Sequence, residues 1–154
     1  MFSYKKIVNN LIKKNITISV AESCTGGQLS KFFTDIPGIS KIFNLGVITY
    51  SNNSKSMILN ISPKLIKNYG AVSKKVAHLM SNNIYKISKS KLCVSTTGIA
   101  GPSGASKNKP IGLVYIGITF NKRTLVFKKK FDGNRKKIQK DTVKFCLEEI
   151  KKLI

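Results

Sequence analysis

The sequence predicts an α/β fold: a single-domain three-layer α/β/α sandwich with a mixed sheet. Three observations carry this reading. Five short β-branched or apolar runs alternate with segments of helical periodicity. The last two runs flank Asn121-Lys122 as a hairpin, so antiparallel strands join a sheet otherwise built by crossovers. The length of 154 residues suits one domain, 1–154.

Each element has its own local reason. Tyr4 to Lys14 carries Ile7, Val8, Leu11 and Ile12 at helical spacing, and Ile16 to Val20 is a β-branched strand. A helix follows from about Thr25 to Thr34, with Leu29, Phe32 and Phe33 inward, and Asp35-Ile36-Pro37-Gly38 stops it. Phe43 to Ser51 reads as a strand in which Gly46 marks a bulge or a close approach. Asn52 to Leu59 is a turn and the start of a helix. Pro63 opens a short helix to Tyr69, which Gly70 ends. Ser73 is an N-cap for a longer helix carrying Val76, Leu79, Met80, Ile84 and Ile87. Leu92 to Thr96 is the third strand, and Leu113 to Phe120 and Leu125 to Phe131 form the hairpin. The last helix, from Arg135 to about Lys152, places Ile138, Phe145, Cys146 and Ile150 at helical intervals.

Composition narrows the function. The net charge of +22 invites a nucleic-acid partner. The basic residues are nearly all lysine, however, with Arg123 and Arg135 the only arginines, and they are scattered from Lys5 to Lys152. Base and phosphate recognition leans on the guanidinium fork, so a solvated lysine surface with only non-specific binding is the expectation. Cys24, Cys93 and Cys146 lack zinc spacing and suit a reducing compartment. MFSYKKIVNN has no apolar leader core, and no apolar run approaches the ~20 residues a membrane span needs. The expected location is the cytoplasm, without a membrane partner. The size fits a homodimer.

Three segments could carry chemistry. The turn Ala21 to Gly27 joins a strand end to a helix start, where free N–H groups and the helix dipole favour an anion or oxyanion. Ser23 stands there as a candidate nucleophile. Cys24 is the alternative, and Ser23 or Thr25 as a mere N-cap is the bland reading. Gly26 and Gly27 would let a ligand approach the backbone. In the second segment, Tyr50 and Lys55 could form a proton-transfer pair, since a desolvated lysine is a usable base. The third, Gly98 to Gly104, is a ligand-contacting loop or a rigid turn; its glycine spacing is not that of a dinucleotide fold. His78, the only histidine, lies off the apolar stripe and reads as solvated. The few acidic residues argue against a metal cage or a two-carboxylate site.

Together, AESCTGG at Ala21 to Gly27, GVITYSNNSK at Gly46 to Lys55, GAVS at Gly70 to Ser73, and TGIAGPSG at Thr97 to Gly104 followed by KPIG at Lys109 to Gly112 resemble the C-terminal domain of the CinA family. The order and spacing match from about Tyr4 to Lys152. The resemblance is to the stand-alone form, nicotinamide-nucleotide amidase; the longer architecture's additional N-terminal domain has no room in this chain.

The resemblance implies hydrolysis of the carboxamide of nicotinamide mononucleotide to nicotinic acid mononucleotide and ammonia. It implies Ser23 as nucleophile and Lys55 and Tyr50 as proton-transfer partners, with no metal and no organic cofactor. Thr25, Gly26, Gly27, Thr97, Gly98, Gly101, Gly104 and Arg135 are the expected substrate-binding residues. The chain departs from the pattern at Asn134, where the family usually has Asp, at Gln139, where a second arginine often stands, and at Pro102-Ser103-Gly104-Ala105, a less glycine-rich loop. Two further readings stay open: a basic protein associated with nucleic acid, and a nucleotide-binding domain without catalysis.

Overall fold

A computed structural model describes the backbone of residues 2–154 and the side chains from residue 4 onward. The elements run α1 (Phe2–Lys13), β1 (Ile18–Glu22), α2 (Gln28–Thr34), a 3-10 turn (Ile39–Lys41), β2 (Phe43–Ile48), α3 (Asn52–Leu59), α4 (Pro63–Tyr69), α5 (Lys74–Ser88), β3 (Leu92–Gly98), β4 (Leu113–Phe120), β5 (Arg123–Lys130) and α6 (Arg135–Leu153). The strands form one sheet in the order β2-β1-β3-β4-β5. β1 is parallel to β2 and β3, while β3-β4 and β4-β5 are antiparallel. This is the mixed three-layer sandwich the sequence predicts.

The layering follows from the two-residue side-chain period of the strands. Ile18 and Val20 of β1, Leu92 and Val94 of β3 and Ile116 of β4 face one side, where they pack on Val8 and Leu11 of α1, Leu29 and Phe33 of α2, and Ile138, Cys146 and Ile150 of α6. The alternate positions, Ala21 and Cys93, face Leu59, Ile66, Val76, Met80 and Ile84 from α3, α4 and α5. Gly117 of β4 permits this second layer to close, because a Cβ there would lie 2.5 Å from the Ala77 carbonyl oxygen of α5.

Several boundaries move, for tertiary reasons. β1 starts at Ile18 and runs to Glu22, because it is the central parallel strand and pairs with β3 from Ile18↔Leu92 to Glu22↔Thr96. α2 starts only at Gln28, since Gly26 and Gly27 have φ of 60° and 96°, outside the helical region. β2 ends at Ile48, and Ser51 becomes the N-cap of α3 in a reciprocal pair with Ser54. The bulge in β2 falls at the step from Phe43 to Leu45, opposite Ile18 and Ser19. Gly46 is the close approach, since a Cβ there would meet the Ser30 hydroxyl at 2.9 Å. Asn121 and Lys122 both have positive φ, so the hairpin turn is two residues long and β5 begins at Arg123. Ser73 caps α5 by accepting from the Val76 N–H, as its position predicts, but Ile87 is half-exposed. Among the described residues, no helix is long and apolar enough to cross a membrane.

Candidate active site

The three parallel strands deliver their carboxyl ends to one place. β1 leads into Ser23, β2 into Tyr50 and α3, and β3 into the Gly98 to Gly104 loop. The crevice beyond such strand ends is where open α/β sheets bind ligands. A cavity of about 270 Å³ lies there, lined by residues of all three segments together with Ala71, Val72 and Arg135.

Ser23 is held at its floor. Its N–H donates to the Thr96 carbonyl at 3.0 Å, extending the β1-β3 ladder by one bond, and the residue is 8% exposed. Lys55 comes from the second turn of α3 and points inward, 1% exposed. Its Nζ lies 3.0 Å from Ser23 Oγ and donates to the Thr49 carbonyl at 2.7 Å. Burial outweighs a smaller opposing influence of Cys24 and lowers the Lys55 pKa to about 8. A lysine so placed is a neutral amine in about a tenth of molecules at pH 7, far more than an ordinary lysine, with a serine hydroxyl in hydrogen-bond reach.

Tyr50 and Arg135 form the rim. Tyr50 is 55% exposed, and its hydroxyl accepts from Arg135 Nη2. Arg135 Nη1 donates to the Gly101 carbonyl at 2.8 Å, so the first residue of α6 ties the loop after β3 to the end of β2. The Tyr50 hydroxyl therefore meets Arg135, while Ser23 meets Lys55. Thr97 lines the cavity, but its hydroxyl donates to the Ala71 carbonyl at 2.8 Å. Gly98, Gly101 and Gly104 also line it, so the loop is part of the wall.

Thr25, Gly26 and Gly27 are placed differently from the expectation of a ligand cradle. Thr25 is fully buried and bonded to Glu22 and Thr96. A Cβ on Gly27 would meet Ile48 Cδ1 at 2.9 Å, and one on Gly26 would face Gln139 Nε2 at 3.8 Å. None of the three lines the cavity; the glycines shape the turn into α2. The cause is Glu22, which carries no signal of this role in the sequence. Its carboxylate is 0% exposed and accepts from the Thr25 and Ser30 hydroxyls and from the N–H groups of Gly27, Leu29 and Ser30, at 2.6–3.1 Å. The positive end of α2 is thus already filled by a carboxylate of the chain itself. Among the described residues, the amides of Cys24 and Thr25 remain without an acceptor in the fold.

Burial also decides the roles of Cys24 and His78. Cys24 lines the cavity, but burial pushes its thiol up to about 12, so it stays protonated and poorly nucleophilic. His78 sits on α5 away from the cavity. It is half-buried rather than solvated, and burial, then Lys75 and Lys86, lower its pKa. Asn134, at the position where the resemblance leads one to expect Asp, caps α6 by accepting from the Lys137 N–H at 3.0 Å. Asn52 and Ser103 also line the cavity and carry no sequence signal beyond their loop-like neighbours. A larger and more apolar groove, about 510 Å³ between α1, α2 and α6, contains no nucleophile beside a base.

Fold and site together define an α/β domain with a buried serine–lysine pair at the carboxyl edge of its parallel strands. The chain matches the CinA C-terminal domain family over residues 2–154 and belongs to it. A protein of Thermoanaerobacter pseudethanolicus named for competence-damage induction is 44% identical over 151 residues, covering 97% of this chain and 37% of that protein. A CinA-like protein of Endomicrobium trichonymphae is 46% identical, covering 92% of this chain and 33% of the other. The chain thus spans about a third of the length of these relatives. Among solved structures, the competence/damage inducible protein CihA of Agrobacterium tumefaciens superposes with a TM-score of 0.90 at 32% identity, covering 97% of this chain and 94% of that one. A CinA superfamily protein of Escherichia coli gives 0.93 at 26% identity, covering 98% and 88%.

Proposed function

We propose that this chain is a serine amidohydrolase that converts nicotinamide mononucleotide to nicotinic acid mononucleotide and ammonia. The observation that carries the reading is the 3.0 Å contact between Ser23 Oγ and Lys55 Nζ in a site where burial lowers the lysine pKa to about 8. A primary amide is a poor acyl donor, so the site must activate a nucleophile, stabilise an oxyanion and protonate the leaving nitrogen.

The steps follow from those two groups. The Ser23 oxygen bonds to the carboxamide carbon while its proton passes to the neutral Lys55 amine. The Thr49 carbonyl holds the resulting ammonium in place. The oxyanion meets the amide of Cys24, the residue after the nucleophile, which lines the cavity; such a donor is typically worth about 3 kcal/mol. The C–N bond breaks as Lys55 returns the proton to nitrogen, and ammonia leaves. Water then attacks the acyl-serine, giving its proton to Lys55, and acid and free serine are released. Arg135 is the cation at the rim for the phosphate, and Tyr50 orients its guanidinium.

Incubation with the mononucleotide tests this. Ammonia and the acid mononucleotide are expected in equal amounts. Binding without ammonia release would instead favour a nucleotide-binding domain. DNA binding that is sequence-specific and survives physiological salt would favour a nucleic-acid role, since lysine-driven contacts weaken steeply with salt.

A further inference from the structure

Lys55 is a buried amine with no anion beside it. No carboxylate lines the cavity, and among the described residues none forms an ion pair with Lys55. Glu22, the acid next to Ser23, turns its oxygens to the start of α2. The other titratable groups lining the cavity are the protonated Cys24 thiol, Tyr50, and Arg135 on the rim. α4 and α5, which lie against α3 and each other, keep their lysines exposed, and His78 is outside the cavity. The charged residues that line the cavity, Lys55 and Arg135, are therefore both basic. A pocket built to attract a cation would carry a carboxylate against it; this one carries none.

The proposed substrate nevertheless brings a fixed positive charge into the cavity. In nicotinamide mononucleotide the ring nitrogen is quaternary, is charged at every pH, and sits meta to the carboxamide. Attack needs the carboxamide carbon about 3–3.5 Å from Ser23 Oγ, and that oxygen is 3.0 Å from Lys55 Nζ. The ring charge then comes within about 6–8 Å of Nζ, where like unit charges at an effective dielectric of about 20 move an ionisation by about 1.5–2 pH units. We infer that the cationic ring of a pyridinium carboxamide drives the proton off Lys55 as the substrate binds, so that the substrate prepares its own general base. The inference rests on the amidase reading and adds to it the class of amide the site serves. The proton passes to solvent, and the neutral amine left behind takes the Ser23 proton as the new C–O bond forms. This answers the shortage in the free protein, where about a tenth of the lysines are neutral at pH 7. It also gives the missing carboxylate a reason, because an acid beside Lys55 would hold the proton on. A neutral-ring amide that fits the cavity meets a base that is still mostly protonated.

Binding to the Ser23→Ala protein, which cannot form an acyl-enzyme, tests this with two ligands. One is nicotinamide mononucleotide; the other is its counterpart with benzene in place of the pyridinium and the same phosphate and carboxamide. A protonated Lys55 repels the cationic ring and a neutral one does not, so affinity for the mononucleotide should rise roughly ten- to twentyfold from about pH 6.5 to about pH 9. The benzene compound shares the effects of the phosphate and of excluded water, and should rise less than about threefold over that range. Lys55→Met in the same background should make the two pH courses parallel. In the wild-type chain, the pH midpoint of kcat for ammonia release should lie at least about one pH unit below that of kcat/KM, since the first reports the complex and the second the free protein. Equal pH courses for the two ligands, a difference that survives Lys55→Met, or coincident midpoints in the wild type would each overturn the inference. A wild-type chain that releases no ammonia brings down the amidase reading itself, whatever the binding shows.

Discussion

Glu22 and Lys55 are the two charged side chains buried in the fold among the described residues, and they are treated in opposite ways. Glu22 closes the start of α2 with five hydrogen bonds, two from hydroxyls and three from backbone N–H groups. Every one is made within nine residues of chain. Lys55 has only the Thr49 carbonyl and Ser23 Oγ, opens on a cavity, and is pushed by burial to about 8. A buried charge whose partners are complete stabilises a structure; one left short of partners shifts its pKa and becomes available for chemistry. The contrast also explains why the helix start beside Ser23 is no anion site: the chain supplies its own anion.

The largest expected effect is on turnover. Ser23→Ala and Lys55→Ala should each lower kcat for ammonia release by roughly 10³-fold or more, and the double variant should be little worse than either, because the pair acts as one unit. Lys55→Arg should not rescue, since a guanidinium stays protonated. Near-additive losses in the double variant would show that the two residues do not work together.

Next comes stability at the opposite pole. Glu22→Gln replaces two accepting oxygens by one and turns an NH₂ toward donors, so it should cost about 3 kcal/mol and lower Tm by roughly 10 °C. A melting curve indistinguishable from wild type would show that the carboxylate is not what closes α2.

Of similar or smaller size is the pH dependence of stability. Lys55 has a folded pKa of about 8 against an ordinary 10.5. Between those values the unfolded chain holds more protons, so the Lys55 contribution rises with pH across that window and is most unfavourable below it. Denaturant titrations of wild type and Lys55→Met should therefore differ most near pH 7, with the variant more stable by up to about 3 kcal/mol, and converge toward pH 10.5. A pH-independent difference would contradict the burial argument.

Much of this contrast was hidden in the sequence. The five strands and the gathering of three segments were legible, because β-branched runs, caps and Gly- or Ser-rich loops leave local marks. Gln139 was legible only as a departure from the family pattern, since its partners, Gln28 and Cys24, lie 111 and 115 positions away. Glu22 was not legible as a structural anchor: an acid beside Ser-Cys-Thr-Gly-Gly looks like any polar turn residue. The shift of β1 by two residues follows from the same cause. Ala21 and Glu22 have little strand preference, yet pairing on both sides keeps them extended until the carboxylate reaches α2. Lys55 was legible through its motif and not through its chemistry, because one lysine in a lysine-rich chain shows nothing of its burial.

The central claim, that Ser23 rather than its neighbour is the nucleophile, has one direct test. Initial rates of ammonia release from nicotinamide mononucleotide should be compared for Ser23→Ala and Cys24→Ala at saturating substrate. The account predicts a Ser23→Ala protein that still binds the mononucleotide but has lost almost all turnover, beside a Cys24→Ala protein that keeps most of it. A Ser23→Ala protein with near-normal turnover, above all beside an inactive Cys24→Ala, would contradict it.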